Sequence, residues 1–241
     1  MKKKVLIILG WILVWQIGAI LVNNKILLVG PLQVLSALFF MLQKSAFWTS
    51  LTFTMSRIIL GTIAGMLSGI LFAWISYQKP LIKDILQPVV LFLKAVPVVS
   101  FIVLILIAFG NTVLSLLISL IVVFPIFYIN TLEGLLHTDI KMLELAEVFE
   151  IKPLNKIKVI YFRSVYPYLL SALELACGMA IKSGIAAEVI GQARNTIGNN
   201  IYQSKIYFST DELLAWTFVV LLLSWLYEKI LLILFRKVEP K

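Results

Sequence analysis

"ELAEVFEIKPLNKIKVIYFRSVYP", residues 144–167, is the one long charge-rich stretch in the chain, and apolar runs flank it on both sides. Such an island reads as an aqueous link between two segments that lie in lipid. Asp139 just before it is a suitable N-cap for a short helix over about 140–150. Met142, Ala146 and Phe149 then fall on one side of that helix, and Glu144, Glu147 and Glu150 mark another. Pro153 suits the first turn of a second short helix, with Leu154, Ile157 and Ile160 or Tyr161 as its apolar stripe and Lys152, Lys156 and Lys158 as its polar one. Two readings of the pair stay open: helices lying on lipid headgroups, or a docking surface for another protein.

Composition bounds what surrounds the island. Of 241 residues, 61% are hydrophobic and 14% charged, whereas a soluble domain is about half apolar and about a quarter charged. Mean hydropathy is +1.01, so the chain is expected to be an all-α integral membrane protein. The net charge of +9 sits in short links between apolar runs, which points to juxtamembrane cations and not to nucleic acid. The one cysteine, Cys177, lies inside an apolar run and excludes an intramolecular disulfide or a thiol metal site. With His137 the one histidine, metal-dependent or nucleophilic catalysis has few groups to use.

A hydrocarbon core about 30 Å thick needs roughly 20 apolar helical residues. Runs 5–22, 52–77, 112–132, 166–190 and 212–235 meet that length, and 85–109 makes a sixth span despite Lys94 and Pro97. The start imitates a signal peptide, but its apolar part is long and "NNK" follows it, so it reads as an uncleaved first span. Residues 26–42 are broken by Gly30-Pro31 and read as an interfacial segment. With six spans and an inside N-terminus, Lys2, Lys3, Lys4, Lys79, Lys83, Lys141, Lys152, Lys156, Lys158, Arg163, Arg236, Lys237 and Lys241 face the cytoplasm, together with a loop at 133–165. Lys25, Lys44, Arg194 and Lys205 face outside. A seventh span would invert most of that bias.

Small residues recur at helical spacing in two spans: Gly61, Gly65, Gly69 and Ala73, then Ala172, Ala176, Ala180 and Gly184. They let helix backbones approach in lipid, within one subunit or between two. Glu174, Gly178 and Lys182 share a face roughly opposite the second line. Lys94, about 15 Å into its helix, is expected near the midplane, with Pro97 able to kink that helix. These residues are candidates for a translocation path, and Glu188, nearer the outer end, for its gate or rim. Pairing of Lys94 with Glu174, or of Glu174 and Lys182 with neighbouring helices, is the other reading. Arg57 is expected to snorkel to the headgroups.

The chain resembles the inner-membrane permease subunits of binding-protein-dependent ABC importers, most closely the nitrate/sulfonate/taurine branch. Those subunits carry a cytoplasmic E-A-A loop, with a glycine four residues after the last alanine and a Leu-Pro further on. Glu144, Leu145 and Ala146 match its opening and Pro167 its second proline. The family glycine falls on Glu150 and the Leu-Pro pair on Phe162-Arg163, which implies either a reshaped turn or a divergent partner. "FLKAVPVVSFIVLILIAFG" (92–110) resembles the family's third span, and "TMSRIILGTIAGMLSGILFA" its second. The chain's end, with Glu188 and an Asp-Glu before the last span, resembles the end of such subunits.

The resemblance, over about 30–236, implies a six-helix type I permease in a bacterial inner membrane with both termini cytoplasmic. It implies a permease homodimer, two ATPase subunits that bind ATP and Mg, and an extracytoplasmic solute-binding protein. The coupling residues it implies are Glu144, Leu145, Ala146, Phe149, Glu150 and Pro167. No G-x-x-x-x-G-K-[ST] occurs here to cradle ATP phosphates. Two competing functions are a six-helix substrate-capturing subunit of another transporter class, needing no lever loop, and an intramembrane enzyme. The latter lacks a Ser/His or paired-Asp constellation within spans.

Overall fold

The computed structural model describes residues 2–238, and apart from short links these are helical throughout. Lys241, and the side chains of Lys2 and Lys4, lie outside the described residues. In chain order the helices are α1 (Lys2–Val22), α2 (Pro31–Leu42), α3 (Ser45–Gln78), α4 (Pro80–Ala95), α5 (Val98–Phe109) and α6 (Leu114–Leu136). They continue with α7 (Ile140–Val148), α8 (Pro153–Lys156), a π turn (Ile157–Tyr161), α9 (Phe162–Gly191), α10 (Ile197–Ile206) and α11 (Thr210–Arg236). Among the described residues, five helices are long and apolar enough to cross a membrane: Val5–Val22, α3, α6, the continuous Pro153–Gly191 and α11. A sixth crossing is available if the bent pair α4 and α5 counts as one. Helices suit lipid because they satisfy their backbone polar groups internally.

Glycine contacts set the topology. A Cβ on Gly65 would lie 2.9 Å from the Leu120 carbonyl and 2.9 Å from Val123 Cβ, and one on Gly69 would lie 2.8 Å from the Phe124 carbonyl. Gly61 meets Leu116 and Ser119 in the same way. Residue numbers rise together along both helices, so α3 and α6 are parallel neighbours. The chain must therefore run back the length of α3 before α6 begins, and α4 with α5 carries it.

That return, expected as one span over 85–109 that Pro97 could kink, is sharply bent. The two helices meet at 100°, with Val96 extended (φ −75°, ψ 131°) and Pro97 ahead of the first turn of α5. A residue before proline is driven out of the helical region, which ends α4 there. Each half then follows its own packing. Val90 of α4 is buried with Ala73, Tyr128 and Leu132, while Phe101, Ile102 and Ile105 of α5 are buried with Leu114, Ile118 and Ala187.

α9 runs antiparallel to α6. Gly134 lies against Val165 and Tyr168 at one end, Ser119 Oγ donates to the Ala180 carbonyl at 3.3 Å, and Gly191 lies against Leu114 at the other end. α11 returns alongside, with Tyr166 Oη donating to the Phe235 carbonyl at 3.3 Å. Ala172, Ala176 and Ala180 are fully buried, and a Cβ on Gly184 would meet Ile58 Cγ1 at 2.8 Å. Both small-residue lines thus pack within one chain.

One end of the bundle gathers Lys79, Lys83, Lys141, Lys152, Lys156, Lys158, Arg163, Arg236 and Lys237. The opposite end holds Lys25, Lys44, Arg194 and Lys205. α2, with 12 residues, is about 18 Å long and too short to span. It buries Val34, Ala37 and Met41. None of the side chains in Val5–Val22 is buried; Trp15 Nε1 donates to the Val29 carbonyl at 3.0 Å and ties α1 to the segment before α2.

Candidate coupling loop and translocation face

The island forms at the basic end of the bundle. Asp139 caps α7, its Oδ1 accepting from the Lys141 amide at 2.9 Å. At the far end the Glu150 amide donates to the Glu147 carbonyl at 3.0 Å and the Ile151 amide to the Ala146 carbonyl at 2.9 Å. These paired bonds define a Schellman cap, whose turning residue takes a left-handed conformation. That residue is Glu150, with φ +48°. Glu150 therefore keeps the turn for which glycine is best suited, at a conformational cost of about 1–2 kcal/mol.

The second short helix differs from expectation. Pro153 does begin a helix, but α8, the π turn and α9 run on as one continuous helix, with the Phe162 amide donating to the Ile157 carbonyl. Phe162-Arg163, where the family pattern would have Leu-Pro, offers no breaker, and the π turn absorbs the extra residue. Pro167 lies inside α9. Lys156 Nζ, 3.4 Å from Glu147 Oε1, links α7 to α8.

Among the expected contact residues of α7, Ala146 faces inward at 3% exposure, whereas Leu145 is half exposed and Phe149 is 73% exposed. Glu144 and Glu150 are exposed too. Val148 and Leu154, both more than three-quarters exposed, extend the apolar surface. Met142 is half exposed. These side chains leave apolar surface exposed at the charged end of the bundle.

The expected path residues divide into two groups. Glu174 and Lys182 are exposed on α9, and Gly178 between them has no atom within 4 Å of a Cβ position. This face is thus left open, while the Ala176 and Ala180 side is closed against α3 and α6. Lys94 is exposed in the last turn of α4, beside the Pro97 break and not inside a straight helix. The ion pairs among the described residues do not join Lys94, Glu174 or Lys182 to one another. Arg57 is half-buried over the Phe53 ring, 5.1 Å from its centroid.

Glu188 forms the second group alone. It is fully buried, and its Oε2 accepts from Thr54 Oγ1 at 2.8 Å and from the Gly198 amide at 3.2 Å. Thr54 Oγ1 in turn accepts from the Ile197 amide at 2.9 Å. Thr54 and α10 were not singled out by the sequence. The signal for α10 was available in Thr196, whose Oγ1 caps it by accepting from Asn199 at 3.1 Å. No group of three or more potential metal ligands occurs among the described residues.

Residues 61–241 match the family described as binding-protein-dependent transport system inner membrane component. The taurine transport system permease protein TauC of Escherichia coli is 24% identical, over 94% of this chain and 84% of its own. The formylaminopyrimidine transport permease protein ThiX of Halalkalibacterium halodurans is 24% identical, over 78% of this chain and 76% of its own. The bicarbonate transport system permease protein CmpB of Synechocystis is 25% identical, over 83% of this chain and 71% of its own.

Proposed function

The chain belongs to the family of binding-protein-dependent transport system inner membrane components, and on that premise we infer that it is a permease subunit of an ABC importer, forming the path for a small solute. Membership speaks for this reading and not for a substrate-capturing subunit of another transporter class. A second copy of the chain completes the path, a solute-binding protein delivers cargo at one end, and separate ATPase subunits bind ATP and Mg at the other. The basic end faces the cytoplasm, since positive juxtamembrane residues are retained there. The cargo is a small polar solute, in keeping with the taurine, bicarbonate and formylaminopyrimidine named for the relatives.

The observation that carries the reading is the exposed apolar surface of α7, held out at the basic end by the Asp139 cap and the Glu150 turn. A cleft in the ATPase receives Leu145, Val148 and Phe149. ATP-driven closure displaces α7, and past the short Glu150 turn the displacement enters α9 directly, because Pro153–Gly191 is one helix of 39 residues. At 1.5 Å per residue that helix is about 58 Å long, enough to link the motor to the opposite mouth. Lys94, Glu174, Gly178 and Lys182 lie along the path between two copies, since charged groups in spans favour a water-filled cavity. Pro97 sets the bend that leaves room for it. ATP binding can shift the gates only because the motor grips one state of α7 better than the other.

Phe149→Asp tests the reading, because Phe149 is exposed and its replacement leaves the fold of α7 intact. Co-purification of the ATPase with the tagged permease is expected to be lost. Undiminished co-purification, with α7 still folded by hydrogen exchange, would count against the coupling assignment.

A further inference from the structure

A buried carboxylate in a membrane span is costly unless its neighbours are built for it. Around Glu188 they are. Thr54 of α3 donates to Oε2 at 2.8 Å, and the Gly198 amide of α10 donates to the same oxygen at 3.2 Å. Thr54 also receives the Ile197 amide at 2.9 Å, so one hydroxyl joins the carboxylate to the first turn of α10. Gly198 rests so closely on the backbone of residues 188–189 that a Cβ there would lie 2.7 Å from the Val189 amide. The N-terminal end of α10 thus points an amide at a buried carboxyl oxygen.

α10 is also held by packing, with Ile197 fully buried in the main core and Ile201 against it. Asn200 Nδ2 donates to Ser50 Oγ at 2.9 Å, again on α3. Left-handed residues bracket the helix: Gln192 (φ 48°) and Asn195 (φ 58°) before it, Phe208 (φ 56°) after it. Glu188 also has a spare oxygen, because Oε1 is buried without a partner among the described residues, as is Ser115 Oγ of α6. Ser115 neighbours the same carboxylate. Hydroxyls from α3 and α6 thus flank the one carboxyl group.

We propose that Glu188 is a positioning residue that fastens α10 to α3 through Thr54, so that the outer mouth stays shut until α9 is displaced. The role in gating rests on the importer reading; the fastening itself does not. By reciprocity, a variant that frees the outer gate favours the closed motor.

The test has two arms. In the first, the full chain in nanodiscs is compared with Thr54→Val, which keeps the volume and removes the hydroxyl, and with Thr54→Ser, which restores it. Hydrogen exchange of the 197–206 amides is expected to rise about ten-fold in Thr54→Val and to return to the wild-type rate in Thr54→Ser. Glu188→Gln, which keeps an acceptor oxygen, behaves like the serine variant, and Glu188→Leu like the valine one. In the second arm, ATP hydrolysis by the permease–ATPase complex is measured without binding protein, where Thr54→Val is expected to raise it about five-fold. Unchanged exchange in Thr54→Val would overturn the fastening. Faster exchange with unchanged hydrolysis would overturn the gating role. A wild-type chain that recovers no ATPase would strike the importer reading and leave the first arm standing.

Discussion

Replacing Glu150 with glycine tests whether the end of α7 is built as described. Glu150 is held at φ +48° by the Glu150-to-Glu147 and Ile151-to-Ala146 backbone bonds. A left-handed non-glycine residue costs about 1–2 kcal/mol. Glycine removes that cost but frees the unfolded chain by about 0.4–1 kcal/mol. The difference leaves a net gain of about 0.5–1 kcal/mol in local stability, or roughly a two- to five-fold slower opening of the turn. Hydrogen exchange at the Glu150 and Ile151 positions reads it directly, with Glu150→Ala as the control that removes the carboxylate and keeps the strain. Slower exchange in Glu150→Gly, with Glu150→Ala near the wild type, is expected. If glycine speeds exchange as much as alanine or more, the left-handed turn is not what holds the end of α7.

Gly65→Leu must displace the Leu120 carbonyl and Val123 and is expected to cost about 1–3 kcal/mol or more, whereas Gly178→Leu meets open space; thermal unfolding in detergent should separate the two. Lys94→Cys, Gly178→Cys and Lys182→Cys, each in a Cys177→Ser background, are expected to react with a water-soluble thiol reagent in at least one of the ATP-free and ATP-trapped states. Uniform inertness would remove these positions from the path. Breaking the partly exposed Lys156–Glu147 pair with Lys156→Ala should cost about 1 kcal/mol, visible as a small rise in α7 exchange with ATPase binding retained.

The elements written most plainly in the sequence are those that lipid or local chemistry imposes. Spans are legible because about 20 apolar residues in a row have few other uses, and the start of α7 because Asp139 is a local cap. The bend between α4 and α5 was half legible. Pro97 marks a break, but its 100° angle comes from α4 packing on Ala73 and Tyr128 while α5 packs on Leu114 and Ile118. The second loop helix merged into α9 because nothing between Ile157 and Tyr166 stops it. α10 carries no apolar stripe long enough to announce itself and depends on tertiary ties. The burial of Glu188 could not be read locally, since its hydroxyl partner lies 134 residues earlier. The open face of Glu174, Gly178 and Lys182 follows from helical spacing alone, because the small line opposite claims the packing side.

The most direct measurement of the account is photocrosslinking from α7 in the intact complex. A photoreactive residue at Val148, 76% exposed, should crosslink to an ATP-binding chain, and one at Tyr202 on α10 should not. Failure of Val148 to reach such a chain, or capture of one from Tyr202, would contradict α7 as the grip of the motor.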